Sequence, residues 1–202
     1  MDLNKLGTYT PSLLRDTTCH EAAVLIPLIE TSEGYDVLFE VRSSKIAEQP
    51  GDICFPGGAM EEGEGRTQAA VRETCEELLT KPEQIEILGP SDFFHNFGIV
   101  IYPSVGILKD YDGGFSTDEV SEVFRVPLSF FMQNEPEFHC NEWVVKYDPS
   151  FPYELVNGGK DYKWRKMIQE HPFYFYENRV IWGITARMLY GFVRILKTNC
   201  RV

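Results

Sequence analysis

The densest chemistry in this 202-residue sequence lies in residues 58–77, where Gly58, Glu64, Arg72, Glu73, Glu76 and Glu77 stand at fixed offsets. On a helix, Glu73 and Glu77 are four residues apart and project from one face, with Glu76 beside them. Crowding like charges this way costs roughly a few tenths of a kcal/mol per i,i+4 pair, with no return unless a cation sits among them. Hard oxygen ligands suit Mg2+ or Mn2+, which commonly take one or two carboxylates, several waters and the phosphate oxygens of a substrate. Arg72 can orient a neighbouring carboxylate through charge-assisted hydrogen bonds. Gly57 and Gly58, just ahead, allow close backbone approach and positive φ, so that a carbonyl can face a metal. A solvated glutamate face is the plain alternative. Six specified residue types at fixed offsets arise by chance on the order of 10⁻⁷ per starting position, which decides for chemistry.

The elements that must hold these residues can be read from periodicity. Ala70, Val71, Thr74, Cys75 and Leu78 recur at helical spacing, so a helix is expected over about 67–79, ended by Pro82. Upstream, the apolar run at 22–29 and the alternating stretch at 35–42 predict two strands of a hairpin-like pair around Gly34. Residues 43–51 form a polar loop ending in Pro50-Gly51, and 52–55 a brief strand entering Pro56-Gly57-Gly58. Further strands are expected at 85–88, 93–97, 99–108, 142–147 and 173–176, with a short helix and a loop over 119–131 and a closing amphipathic helix at 180–197. Strands interleaved with two or three helices make an α/β (α+β) fold, a mixed sheet between helices. One domain over residues 1–202, with its core at about 20–197, suits this length and lack of repeats.

Composition bounds the partners. A net charge of −12 argues against non-specific nucleic-acid binding, which needs a basic face, but permits a phosphate ligand with a cation between. No run of about 18 apolar residues offers a membrane span, and the first residues lack a secretory core. The five cysteines follow no metal spacing and read as free thiols of a cytoplasmic protein.

The segment GAMEEGEGRTQAAVRETCEELLT at 58–80 resembles the signature of Nudix hydrolases, G-x5-E-x7-R-E-U-x-E-E-x-G-U, with U a bulky aliphatic residue. Gly58, Glu64, Arg72, Glu73, Glu76 and Glu77 match. Thr74, Leu79 and Thr80 replace an aliphatic, a glycine and a final aliphatic, all at packing or helix-exit positions. Just upstream, RSSKIAEQPGDICFPGG at 42–58 looks like the extra motif of the coenzyme A pyrophosphatase branch, L-L-T-x-R-(S/A)-x3-R-x3-G-x3-F-P-G-G. Arg42, Ser43, Gly51, Phe55, Pro56, Gly57 and Gly58 match, and Ala47 replaces the second arginine. Further echoes are AAVLIPLI, EVFRVPL and IWGITA, so the likeness spans most of residues 20–195.

The resemblance implies an α/β/α sandwich with a central mixed β-sheet and a metal-dependent hydrolase of a nucleotide diphosphate. The expected substrate is coenzyme A or acyl-CoA, yielding 4′-phosphopantetheine and adenosine 3′,5′-bisphosphate. ADP-ribose, a dinucleotide such as NADH, or a nucleoside triphosphate is the alternative within enzymes, and a non-catalytic nucleotide-binding module the alternative outside them. Glu73 and Glu77 would bind Mg2+ or Mn2+, with the Gly57 carbonyl a further ligand. Glu76 is either a third ligand or the base, and Glu119 or Glu122 from a later loop is the other source of a base. Glu64 and Arg72 would orient the helix and its ligands. Arg42 would hold phosphate bidentately, beside Ser43, Phe55 and Gly58 on the substrate side. Lys160, Lys163, Arg165 and Lys166, interleaved with Tyr162 and Trp164, are candidates for the 3′-phosphate and adenine. A homodimer is expected by analogy with relatives.

Overall fold

The structure is a computed structural model that describes residues 19–199 except 97, 145 and 147. The amino-terminal segment, Cys200, and the ends of the strands expected at 93–97 and 142–147 lie outside the described residues. Strand β1 (His20–Thr31) is the spine of a mixed sheet, as its unbroken apolar run requires. It pairs antiparallel with β2 (Gly34–Arg42) through residues 28–31 against 34–37, and the two strands then part. Into the fork come β3 (Ile53–Cys54), which pairs with β2, and β4 (Gly57–Ala59), which pairs with β1. The glycine turn is thereby fixed between two strands of the sheet rather than hanging from its edge.

Helix α1 (Arg66–Glu77) follows at once and packs on β1 and β4. It starts where Gln68 reaches back to accept from the Gly65 amide at 2.9 Å. Beyond it come β5 (Ile85–Pro90), β6 (Phe94–Asn96) and β7 (Ile99–Leu108), β7 running parallel to β1 from His20↔Ile99 to Leu28↔Ile107.

The helix expected over 119–131 is instead mostly strand. β8 (Val120–Pro127) pairs antiparallel with β2, and only α2 (Leu128–Gln133) is helical. VSEVFRVP places its apolar residues at 120, 123, 124 and 126, a spacing that also suits a helix, but three of its eight residues are valine, and pairing along the edge of β2 decides the outcome.

A smaller sheet follows, β9 (Glu137–Trp143), β10 (Met167–Tyr176) and β11 (Arg179–Ile181), in the order β11-β10-β9. Because β11 takes the first residues, the closing helix α3 spans Gly183–Asn199. Two apolar clusters fill the faces of the main sheet. Leu25, Leu38, Ala69, Ala70 and Leu78 pack under α1, and Phe39, Phe131, Leu189 and Phe192 under α2 and α3. This is the expected α/β/α sandwich. Among the described residues, no helix is long and apolar enough to cross a membrane.

Candidate active site

The turn at residues 56–58 is shaped by two close approaches. A side chain at position 57 would strike the backbone of Val24 at 2.6 Å, so only glycine lets β4 lie against β1 here. The Gly57 amide then donates to Oε2 of Glu77 at 2.8 Å. At position 58 an added Cβ would meet the Glu73 carboxylate at 2.6 Å. Helix periodicity puts Glu73 and Glu77 on one face of α1, and the two glycines let that face close onto the turn.

Arg72 holds the outer side of this arrangement. Its Nε and Nη2 donate to Glu64 at 2.9 and 3.1 Å, its Nη1 to Glu73 at 2.7 Å, and Nη2 also to the Ala59 carbonyl at 3.1 Å. Those bonds, the Glu64 pair foremost, hold the guanidinium above even its ordinary range. Hydrogen bonding from Arg72, aided by the Glu61 amide, keeps the Glu64 carboxyl below the usual carboxylate range. One planar cation thus fixes the loop before the helix and a carboxylate on it.

The inner side has the opposite character. Burial pushes the Glu77 carboxyl up to about 9, with the Glu40 charge adding to it and the Gly57 amide opposing it. Burial raises Glu40 to about 7 against the Cys54 thiol and Arg42, and raises Glu73 against Arg72. Glu119 adds negative charge to all three. Burial of this kind disfavours the charged form of each carboxyl, and nearby positive charge would favour it. An all-oxygen donor set of this kind, including a buried oxygen of Glu40 that lacks a partner, fits a hard divalent cation. Among the described residues no three acidic, histidine or cysteine side chains close into a finished cage, so substrate and water would complete the sphere.

The other expected residues are distributed unevenly. Glu76 is 55% exposed and lies 3.5 Å from Arg72 on the outer side of the helix. Glu119 lies near enough for its charge to raise all three carboxyls, but Glu122 does not join them. Glu122 stands opposite Val41 in the β2–β8 register, on the α3 side of the sheet, where Arg179 grips both its oxygens. Ser43 is buried, accepting from the Lys45 amide at 3.3 Å and donating its own amide to the Glu119 carbonyl at 2.8 Å. It therefore positions the Glu119 loop rather than facing a ligand. Phe55 is a core residue stacked on Phe39, with centroids 5.1 Å apart.

A cavity of about 350 Å³ opens from the turn. Arg42, Phe55, Gly57 and Gly58 line it together with Trp143, Trp182 and Arg187. Its size is that of a small-molecule site. The basic–aromatic cluster at 160–166 does not line it. Lys166 pairs with Glu142 at 2.7 Å, and the Tyr162 and Trp164 rings stand 4.6 Å from each other.

Two features escaped the sequence. Trp182, just ahead of α3 and within the IWGITA segment, and Arg187 on α3 come to the cavity, a role to which the sequence assigns neither. Glu40 does carry a signal, because it stands where the upstream motif has threonine, in a strand whose neighbours are apolar. It lies on the face of β2 that carries Leu38, which packs beneath α1. Cys54, its partner at 3.2 Å, is no nucleophile, since burial and the Glu40 charge hold its thiol far above the ordinary range.

Comparison with known proteins now adds to the geometry. A family model described as NUDIX domain matches residues 20–144, more than half of the chain. Among curated proteins, the chain is 30% identical over 194 residues to an uncharacterized Nudix hydrolase, NudL, of Enterobacter sp. (strain 638), covering 93% of this chain and 88% of that one. It is 36% identical over 174 residues to the peroxisomal coenzyme A diphosphatase ndx-8 of Caenorhabditis elegans, covering 83% of this chain and 65% of that one. The fold is like that of a MutT/nudix family protein from Enterococcus faecalis, at a TM-score of 0.51 and 15% identity, over 98% of this chain and 70% of that one.

Proposed function

This chain belongs to the NUDIX family, and on that premise we propose that it hydrolyses coenzyme A or acyl-CoA to 4′-phosphopantetheine, or its acyl form, and adenosine 3′,5′-bisphosphate. Hydrolysis of a nucleotide diphosphate with a divalent cation is the part that family membership itself carries. The observation supporting the reading most is the closure of Glu73 and Glu77 onto the Gly57-Gly58 turn, whose two glycines line the cavity. Similarity to a relative named as a coenzyme A diphosphatase supports the substrate.

In this reading Glu73 and Glu77 hold the cation, with the Gly57 carbonyl as a further donor. Bound there, Mg2+ or Mn2+ offsets phosphate charge, aligns the diphosphate and lowers the pKa of an attacking water. Arg72 and Glu64 keep the carboxylates in place. Glu76 or Glu119 takes the proton of the water, and Arg42 at the cavity rim grips a phosphate oxygen pair. Phe55 forms the apolar wall beside it. The free thiols among the described cysteines support a cytoplasmic setting, and the exposed Phe138, Ile168 and Phe175 of β9 and β10 support a homodimer.

The test is release of adenosine 3′,5′-bisphosphate from coenzyme A with Mg2+ or Mn2+, wild type beside Glu77→Gln, with ADP-ribose and NADH in parallel. Metal-dependent cleavage of coenzyme A that collapses in the variant is the expected result. Cleavage of ADP-ribose or NADH alone would keep the site and replace the substrate. Binding without turnover of any diphosphate would make the chain a nucleotide-binding module.

A further inference from the structure

The site contains a carboxylate to which the roles above give no task. Glu40 is only 1% exposed. Its Oε1 accepts from the Cys54 thiol at 3.2 Å, and its Oε2 has no hydrogen-bond partner. A buried carboxylate oxygen left unpaired is expensive, and natural structures rarely carry one without a use.

Its place in the fold shows the use. Side chains on β2 alternate between faces, and Leu38 packs with Ala69, Ala70 and Leu78 beneath α1. Glu40, two residues further, is on that same face. The inserted turn binds both carboxylates: the Cys54 thiol donates to Glu40, and three residues later the Gly57 amide donates to Glu77. Glu40 on the sheet and Glu77 on the helix are therefore both buried and held by one short segment. The mutual effect of their charges agrees with this.

We propose that Glu40 is a further ligand of the divalent cation, its Oε2 extending the site from helix α1 across to strand β2. The inference rests on the metal-site reading above. It adds a donor from the sheet to ligands drawn from the helix and the turn, and it explains why an acidic residue replaces the threonine of the upstream motif. Glu40 would tighten cation binding through charge and would tie the far wall of the site to the metal.

The test is titration of the 202-residue protein with Mn2+ alone, followed by calorimetry and by the loss of the free-ion paramagnetic resonance signal. Wild type, Glu40→Gln and Glu77→Gln are compared, each first shown to be folded by circular dichroism. Glu40→Gln should bind Mn2+ about tenfold or more weakly, and Mn2+ should raise its melting temperature less than it raises that of wild type. If Glu40→Gln fails to fold, Glu40→Thr, which restores the motif residue, is read in the same way. Unchanged Mn2+ affinity in a folded Glu40 variant, with affinity lost in Glu77→Gln, overturns this inference and leaves the site standing. Unchanged affinity in Glu77→Gln as well overturns the metal-site reading itself.

Discussion

Gly58 and Glu73 are in contact so close that a methyl group at position 58 would lie 2.6 Å from the Glu73 carboxylate. A turn residue and a helix residue fifteen positions apart thus leave room for each other only because one has no side chain. Gly58→Ala should displace Glu73 while leaving the core intact. The expected result is cation affinity and kcat/KM both reduced, about 10–100-fold, with little change in melting temperature. Parallel Mn2+ titration and steady-state kinetics check this.

Arg72 is matched to its partners by shape as well as charge. Lysine would keep the charge but lose the two-pronged grip on Glu64 and the bond to the Ala59 carbonyl. Arg72→Lys should therefore lower kcat about as much as Arg72→Ala does, about 10–100-fold. Near-wild-type activity in the lysine variant would show that charge alone suffices.

The pH dependence of the metal-free protein has a definite sign. The Glu77 carboxyl is raised from 4.5 to about 9 and that of Glu40 from 4.5 to about 7, burial leading in both. Above about pH 4.5 the unfolded chain loses these protons while the folded chain retains them, so stability falls as pH rises. Melting temperature without metal should decline from pH 5 to 9, and Glu77→Gln should flatten that decline. Saturating Mg2+ should reverse it, because a cation stabilises the charged forms. Thermal denaturation across this range, with chelator and with Mg2+, is the measurement.

Leu79 follows the last turn of α1 with left-handed geometry (φ 49°) and is 65% exposed. Glycine, the residue of the Nudix signature here, adopts that geometry without Cβ strain. Leu79→Gly should stabilise the fold by about 0.5–1 kcal/mol and leave turnover unchanged. Denaturant unfolding of the two proteins decides it.

Glu119 and Glu122 are three residues apart, but Glu119 lies in the turn before β8 whereas Glu122 is on β8 and bound by Arg179. Glu119→Gln should lower kcat with little effect on KM if it takes the proton of the water. Glu122→Gln breaks only the pair with Arg179 and should change kcat/KM by less than about threefold, since exposed pairs contribute little. A larger loss in Glu122→Gln would mean that the far face reaches the site.

What was legible in the sequence is what depends on neighbours along the chain. The apolar spacing of Ala70, Thr74 and Leu78 specified α1, and the same periodicity put Glu73 and Glu77 on one face. The alternating and apolar stretches of β1 and β2 were equally local. The segment after Glu119 was misread because six or seven residues of mixed pattern suit either element, and pairing with β2 settles it only in three dimensions.

By itself, then, the sequence determined a glutamate-bearing helix, the glycine turn before it and the cation chemistry that this pairing implies. Tertiary structure alone decided which further groups join. The turn before β8 brings Glu119 near the carboxylates, the β8 register puts Glu122 opposite Val41 and away from them, and the fork between β1 and β2 seats the turn against α1. Packing of α1 buries the face of β2 that carries Leu38 and Glu40, and α3 with the residue just ahead of it brings Arg187 and Trp182 to the cavity. The reason is physical: periodicity specifies the direction in which a side chain leaves its own element, whereas burial and charge depend on elements distant in sequence.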